Sequence, residues 1–155
     1  MSLRQQFNDA LKTAMLGKDE RTVATIRLMN AKLKDYDIAA RPSGNTQGIN
    51  DAAIVSMLQG MVKQRRESIM LYEKGNRADL VKQESEEISV IERFLPKQMG
   101  EDEIKAAIAK TVSSIGAKDI KDMGKVMAEI KKNYAGQMDF AQAGALVKGQ
   151  LSGAA

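Results

Sequence analysis

Three charged residues of this chain fall where helical periodicity calls for apolar ones. At about 100° per residue, Ile54, Leu58, Met61, Ile69 and Tyr72 form one stripe, and Arg65 lies in its middle. A second stripe of Leu80, Ile88, Ile91, Phe94 and Leu95 contains Glu84 and Glu87. Arg65 stands ten residues before Gly75, and Glu84 stands nine after it. If the glycine turns the chain back on itself, those levels meet and a guanidinium faces one or two carboxylates. An unpaired charge on a packed face is costly, so the spacing predicts an ion lock of Arg65 with Glu84, and Glu87 as second acceptor. The chemical alternative makes the two glutamates an acid/base pair or part of a metal site. That alternative lacks the partners such sites use, because the chain has no histidine and no cysteine.

A different pattern appears near the C-terminus. Lys121, Lys125 and Lys132 fall within about 40° of one another on a helical wheel, with Lys118 just ahead of them. Met123, Val126, Met127 and Ile130 occupy the opposite side. From residue 96 onward every basic residue is a lysine. Lysines neutralise phosphates as point charges but do not read base edges in the bidentate way arginine does, so the stripe suits a nucleic-acid backbone. The plainer reading is a solvated outer helix face.

Composition narrows the chemistry further. Without cysteine there are no disulfides, thiolate metal sites or thiol nucleophiles, and without histidine the usual base near neutral pH is missing. Ser68, Ser85, Ser113 and Ser114 have no supporting motif for a Ser-Lys nucleophile, and no glycine-rich phosphate loop occurs. No cofactor and no metal is expected. The N-terminus has no apolar signal core and no stretch reaches the ~18 apolar residues of a membrane span, which suggests a cytoplasmic protein without membrane contact. The net charge of +4 permits an anionic partner without requiring one.

The elements that must position these residues read as helices throughout. Helix formers dominate, and two prolines in 155 residues leave long helices unbroken. A first helix carries Leu3, Phe7, Ala10, Leu11 and Ala14 and stops at Gly17. Asp19 caps a second, with Val23, Ile26, Met29, Leu33 and Tyr36 on one side. The segment from Arg41 to Gly48 reads as a flexible loop. Asn50 or Asp51 starts a long third helix that ends at Gly75, and Asn76 opens a fourth that runs to about Leu95. Pro96 breaks the chain. Three shorter helices follow: one capped by Gly100 and ended by Gly116, one from Asp119 or Asp122 to Tyr134, and one from Asp139 to Leu151. The expectation is therefore an all-α chain, with a four-helix unit over 1–95 built on a long antiparallel hairpin and a small three-helix bundle over 96–155.

Four motifs together carry a family resemblance: Thr25-Ile26-Arg27-Leu28, Lys63-Gln64-Arg65-Arg66-Glu67-Ser68, Leu95-Pro96, and Met123-Gly124-Lys125-Val126-Met127. Their order and spacing resemble the YqeY family (GatB/YqeY) over nearly the whole chain, which implies an all-α fold of a larger and a smaller unit. The smaller unit is similar to the C-terminal tail of the B subunit of the bacterial aspartyl/glutamyl-tRNA amidotransferase, through Gly124-Lys125-Val126-Met127, Gly136, Val147 and Leu151. That tail contacts tRNA, while transamidation takes place in a large domain with no counterpart here. The tail also has a proline shortly beyond its glycine, where this chain has Met138-Asp139. The resemblance thus implies a stand-alone accessory module that binds tRNA or a tRNA-linked enzyme, with no DNA target. A helical protein-interaction module is the alternative. Carbon–nitrogen ligase activity with glutamine as amido-N-donor is the activity the family resemblance also implies.

Overall fold

A computed structural model describes residues 1–153. They form seven α-helices and no strand: α1 (Leu3–Leu16), α2 (Glu20–Ala40), α3 (Asp51–Lys74), α4 (Ala78–Glu92), α5 (Glu101–Ile115), α6 (Met123–Asn133) and α7 (Phe140–Leu151). The protein is all-α. Its contacts divide into two compact units, Met1–Leu95 and Pro96–Ala155.

The helix ends follow from side-chain oxygens meeting the free N–H groups of the first turn. Ser2 and Gln5 make a reciprocal capping box on α1. Asp19 accepts from the Thr22 N–H, Asn50 from Ala53, and Asp139 from Ala141. The hairpin turn differs in detail from the expected restart at Asn76. Gly75 ends α3, but Asn76 takes a left-handed backbone (φ 55°) and Arg77 is the residue that precedes α4.

The core of the first unit joins Phe7, Ile26, Met29, Ile54, Leu58 and Ile91, with Phe94 edge-on to Phe7 at 5.0 Å between ring centres. Tyr36, expected on the buried side of α2, is 43% exposed, with the Lys32 ammonium 5.9 Å from its ring centre. The stripe instead continues from Leu33 to Asp37, one turn on, which is half-buried. Burial along the α3–α4 hairpin is uneven. Met61 and Val62 are buried, as are Glu87 and Ile88, yet no residue from Lys63 to Glu86 is. The outer part of the hairpin is thus only partly covered.

The second unit has a separate core of Ile104, Ile108, Val126, Ile130, Met138, Ala143, Val147 and Leu151. Met138 is 1% exposed and belongs to this core, and Asp139 caps α7.

Candidate functional site

The charged cluster sits at the base of the hairpin. Arg65 on α3 donates from Nε to Glu87 Oε2 at 3.0 Å and from Nη1 to the Met61 carbonyl at 3.2 Å. Glu84 Oε2 lies 3.9 Å from the same Nε. The structure therefore brings all three residues together, but the order of acceptors is the reverse of the expected one. The reason is a residue that hairpin register cannot show. Arg21 on α2 places Nη1 3.9 Å from Glu87 Oε1 and binds Glu86 at 3.0 Å. Gln83 also donates to Glu87, at 3.3 Å. Glu87 sits where three helices can supply donors, and its side chain is 9% exposed. Glu84 has no hydrogen bond among the described residues, and burial, with help from the Glu87 charge, pushes its carboxyl above the usual range against the pull of Arg65. A carboxylate held by two arginines and an amide ties α2, α3 and α4 together.

A second ion pair, missed by the sequence reading, ties α1 to α2. Arg4 forks onto Asp37, with Nη1 to Oδ2 at 2.8 Å and Nη2 to Oδ1 at 2.7 Å. Asp37 also accepts from the Ile49 N–H at 2.9 Å, while Arg4 Nη2 reaches the Ile49 carbonyl at the same distance. Arg4 is the main reason the Asp37 carboxyl is held below its usual range. The segment expected to be a flexible loop is thereby pinned. Arg41–Ser43 is a 3-10 turn, and the Asn45 side chain accepts from Gln47 and Gly48. Gly48 has φ 92°, and a Cβ there would come within 2.6 Å of Arg4 Nη2 and 2.8 Å of Asp37 Oδ1.

The lysine stripe lies in the second unit. Lys125 and Lys132 project from α6, but Lys121 lies in a 3-10 turn, Ile120–Asp122, ahead of that helix. A single helical wheel over all three therefore does not describe their spacing. Lys118, Lys121, Lys125 and Lys132 are all exposed, and none makes an ion pair among the described residues. Asp119 and Asp122 stand among them but are committed to the backbone, accepting from the Lys121 N–H at 2.9 Å and the Lys118 N–H at 3.0 Å. The Lys118 N–H is the leading reason the Asp122 carboxyl is lowered, with Lys125 and Lys118 charges adding to it. Residues 118–132 hold five lysines against three carboxylates, a net charge of +2.

Other candidates resolve simply. Ser68 donates to the Gln64 carbonyl one turn back. No cluster of three or more His, Cys, Asp or Glu suited to a metal ion occurs among the described residues. No helix among them is long and apolar enough to cross a membrane.

The sequence profile described as Yqey-like protein matches residues 4–151, which takes in both units and every residue just described. The chain belongs to the YqeY family. It is also similar to fungal proteins named Altered inheritance of mitochondria protein 41, mitochondrial. With the one from Lachancea thermotolerans it shares 33% identity over 85 residues, 55% of this chain and 43% of that protein. With that of Eremothecium gossypii the figures are 34% over 98 residues, 59% and 51%. With that of Pyrenophora tritici-repentis they are 28% over 126 residues, 78% and 67%. The YqeY chain spans about half the length of the first two relatives. These names overturn the cytoplasmic expectation, since the relatives are mitochondrial proteins. The physical basis of that expectation was too narrow: mitochondrial leaders are amphipathic and arginine-rich, so a missing apolar signal core does not discriminate.

Proposed function

We propose that this YqeY chain is an accessory RNA-binding module that contacts tRNA, or a tRNA-bound enzyme, through its second unit. The observation that carries the reading is the set Lys118, Lys121, Lys125 and Lys132, exposed and free of ion pairs among the described residues while Asp119 and Asp122 bond to backbone. Four such ammonium groups neutralise phosphates without selecting bases. The resemblance of this unit to the amidotransferase tail supports the same assignment. In this reading any transamidation belongs to a partner enzyme.

A tRNA titration at two or more salt concentrations tests it. Four phosphate contacts give a slope of roughly −3 in log affinity against log salt. Changing the four lysines to glutamine should flatten that slope and weaken binding at low salt, leaving the melting curve in place. Salt-independent binding, or unchanged affinity in the folded quadruple variant, would remove the assignment. The alternative of a protein-interaction module draws on one observation, the exposure of Met70 (59%) and Leu71 (66%) on the outer hairpin.

A further inference from the structure

A groove of about 340 Å³ between α1 and the second half of α2 plays no part in the reading above. Its one acidic lining residue, Asp37, is matched by Arg4 in the forked pair, so these two add no net charge. What remains is two cations, Lys34 and Arg41, and two amides, Asn8 and Asn30. None of the four side chains makes a hydrogen bond or ion pair among the described residues, and Arg41 acts on Asp37 only by longer-range attraction. Asn30 and Lys34 lie one turn apart on α2, Arg41 is the residue that caps its C-terminal end, and Asn8 sits one turn after Arg4 on α1. Leu33 and Ile38 add apolar surface.

We propose that this groove binds a phosphate monoester carried on a small organic body, of which a nucleoside monophosphate is the simplest case. The surplus of two positive charges matches the −1.5 to −2 or so of a monoester phosphate near neutral pH. The amides supply further donors in directions that ammonium and guanidinium groups leave open. The volume falls within the roughly 300–1,000 Å³ of small-molecule sites, leaving room beyond the phosphate for a sugar or base against Leu33 and Ile38. A free nucleotide and the phosphorylated end of an RNA carry the same group. The inference is independent of the lysine set in the second unit.

The test uses the full chain labelled with ¹⁵N, titrated separately with adenosine monophosphate, adenosine, and a short 5′-phosphorylated oligoribonucleotide. The expected result is saturable shifts of amides in residues 4–8 and 30–41 with the monophosphate, and at least ten-fold weaker response to adenosine. The Lys34→Gln/Arg41→Gln variant, altered at two exposed unpaired side chains, should lose at least ten-fold in affinity and keep its spectrum elsewhere. The quadruple lysine variant in 118–132 should respond as the parent does. Response to the oligonucleotide alone, lost in the double variant, assigns the groove to an RNA end; response to the mononucleotide assigns it to a free ligand. No shift with either phosphate ligand, equal response to adenosine, or shifts that persist in the double variant would overturn the proposal.

Discussion

Arg65 donates to Glu87 at 3.0 Å across the hairpin and leaves Glu84 at 3.9 Å, although both glutamates lie on the same face of α4. The three-residue step is less than one helical turn, but it decides which carboxylate meets α2 as well as α3. Glu87 has Arg65, Arg21 and Gln83 around it, and Glu84 has a single distant guanidinium. Stability should follow that inequality. Arg65→Ala strands Glu87 with weaker partners and should cost about 2–3 kcal/mol, near the lower end for breaking a buried pair. Glu84→Gln should change stability by less than about 1 kcal/mol. Urea denaturation of the two variants checks the order, and equal losses would mean that Glu84 is a true member of the lock.

Glu84 and Asp37 should show opposite pH behaviour. The Glu84 carboxyl is raised by burial, so the folded chain holds that proton more tightly than the unfolded chain does. Its favourable contribution is complete below the ordinary carboxylate range and is lost as pH rises through the raised value. Glu84→Gln should therefore gain on the parent as pH rises from about 4 to 7. Asp37 is lowered, chiefly by Arg4, so its contribution is present above the ordinary range and is lost as pH falls through the depressed value. Asp37→Asn should be destabilised at neutral pH by about 1–2 kcal/mol, with the gap closing in acid. Melting temperatures from pH 3 to 7 separate the two, and parallel profiles would sink the assignment.

Two glycines in the loop before α3 allow a controlled comparison. Gly44 and Gly48 have nearly the same positive φ, 91° and 92°, so alanine is strained at both. Around Gly44 there is open space, while Gly48 lies against Arg4 and Asp37. Gly44→Ala should cost about 1 kcal/mol. Gly48→Ala should cost more, about 2–3 kcal/mol, because the forked pair must also give way. Thermal melts of both decide it; equal costs would mean that the pair moves aside freely.

Much of the fold was legible because caps and stops are local chemistry: Asp19, Asn50, Gly75, Gly100 and Gly116 mark helix ends without knowledge of what packs where. The hairpin level of Arg65 was legible too, since counting from Gly75 needs only the helical rise. The share of Arg21 was not, because it depends on how α2 docks against α4. The Arg4–Asp37 pair left a trace that went unused. Asp37 follows Leu33 by one turn on the stripe of Ile26 and Met29, the same misplaced-charge signal that singled out Arg65. Assigning Tyr36 to that position concealed it. The lysines were visible as a cluster, but a continuous wheel assumed one helix where the chain has a 3-10 turn and then α6.

The unburied stretch from Lys63 to Glu86 sets a clock within the first unit. Nine residues of helix carry the chain from Arg65 to Lys74, about 14 Å, and none of the residues along that reach is buried. Opening there exposes little apolar surface, so its free energy lies well below that of unfolding the unit. Amide protons beyond the Arg65–Glu87 contact can then exchange with solvent while those around Leu58 and Ile91 stay protected. The ion lock becomes a doorstop, the level at which fraying of the hairpin tip halts.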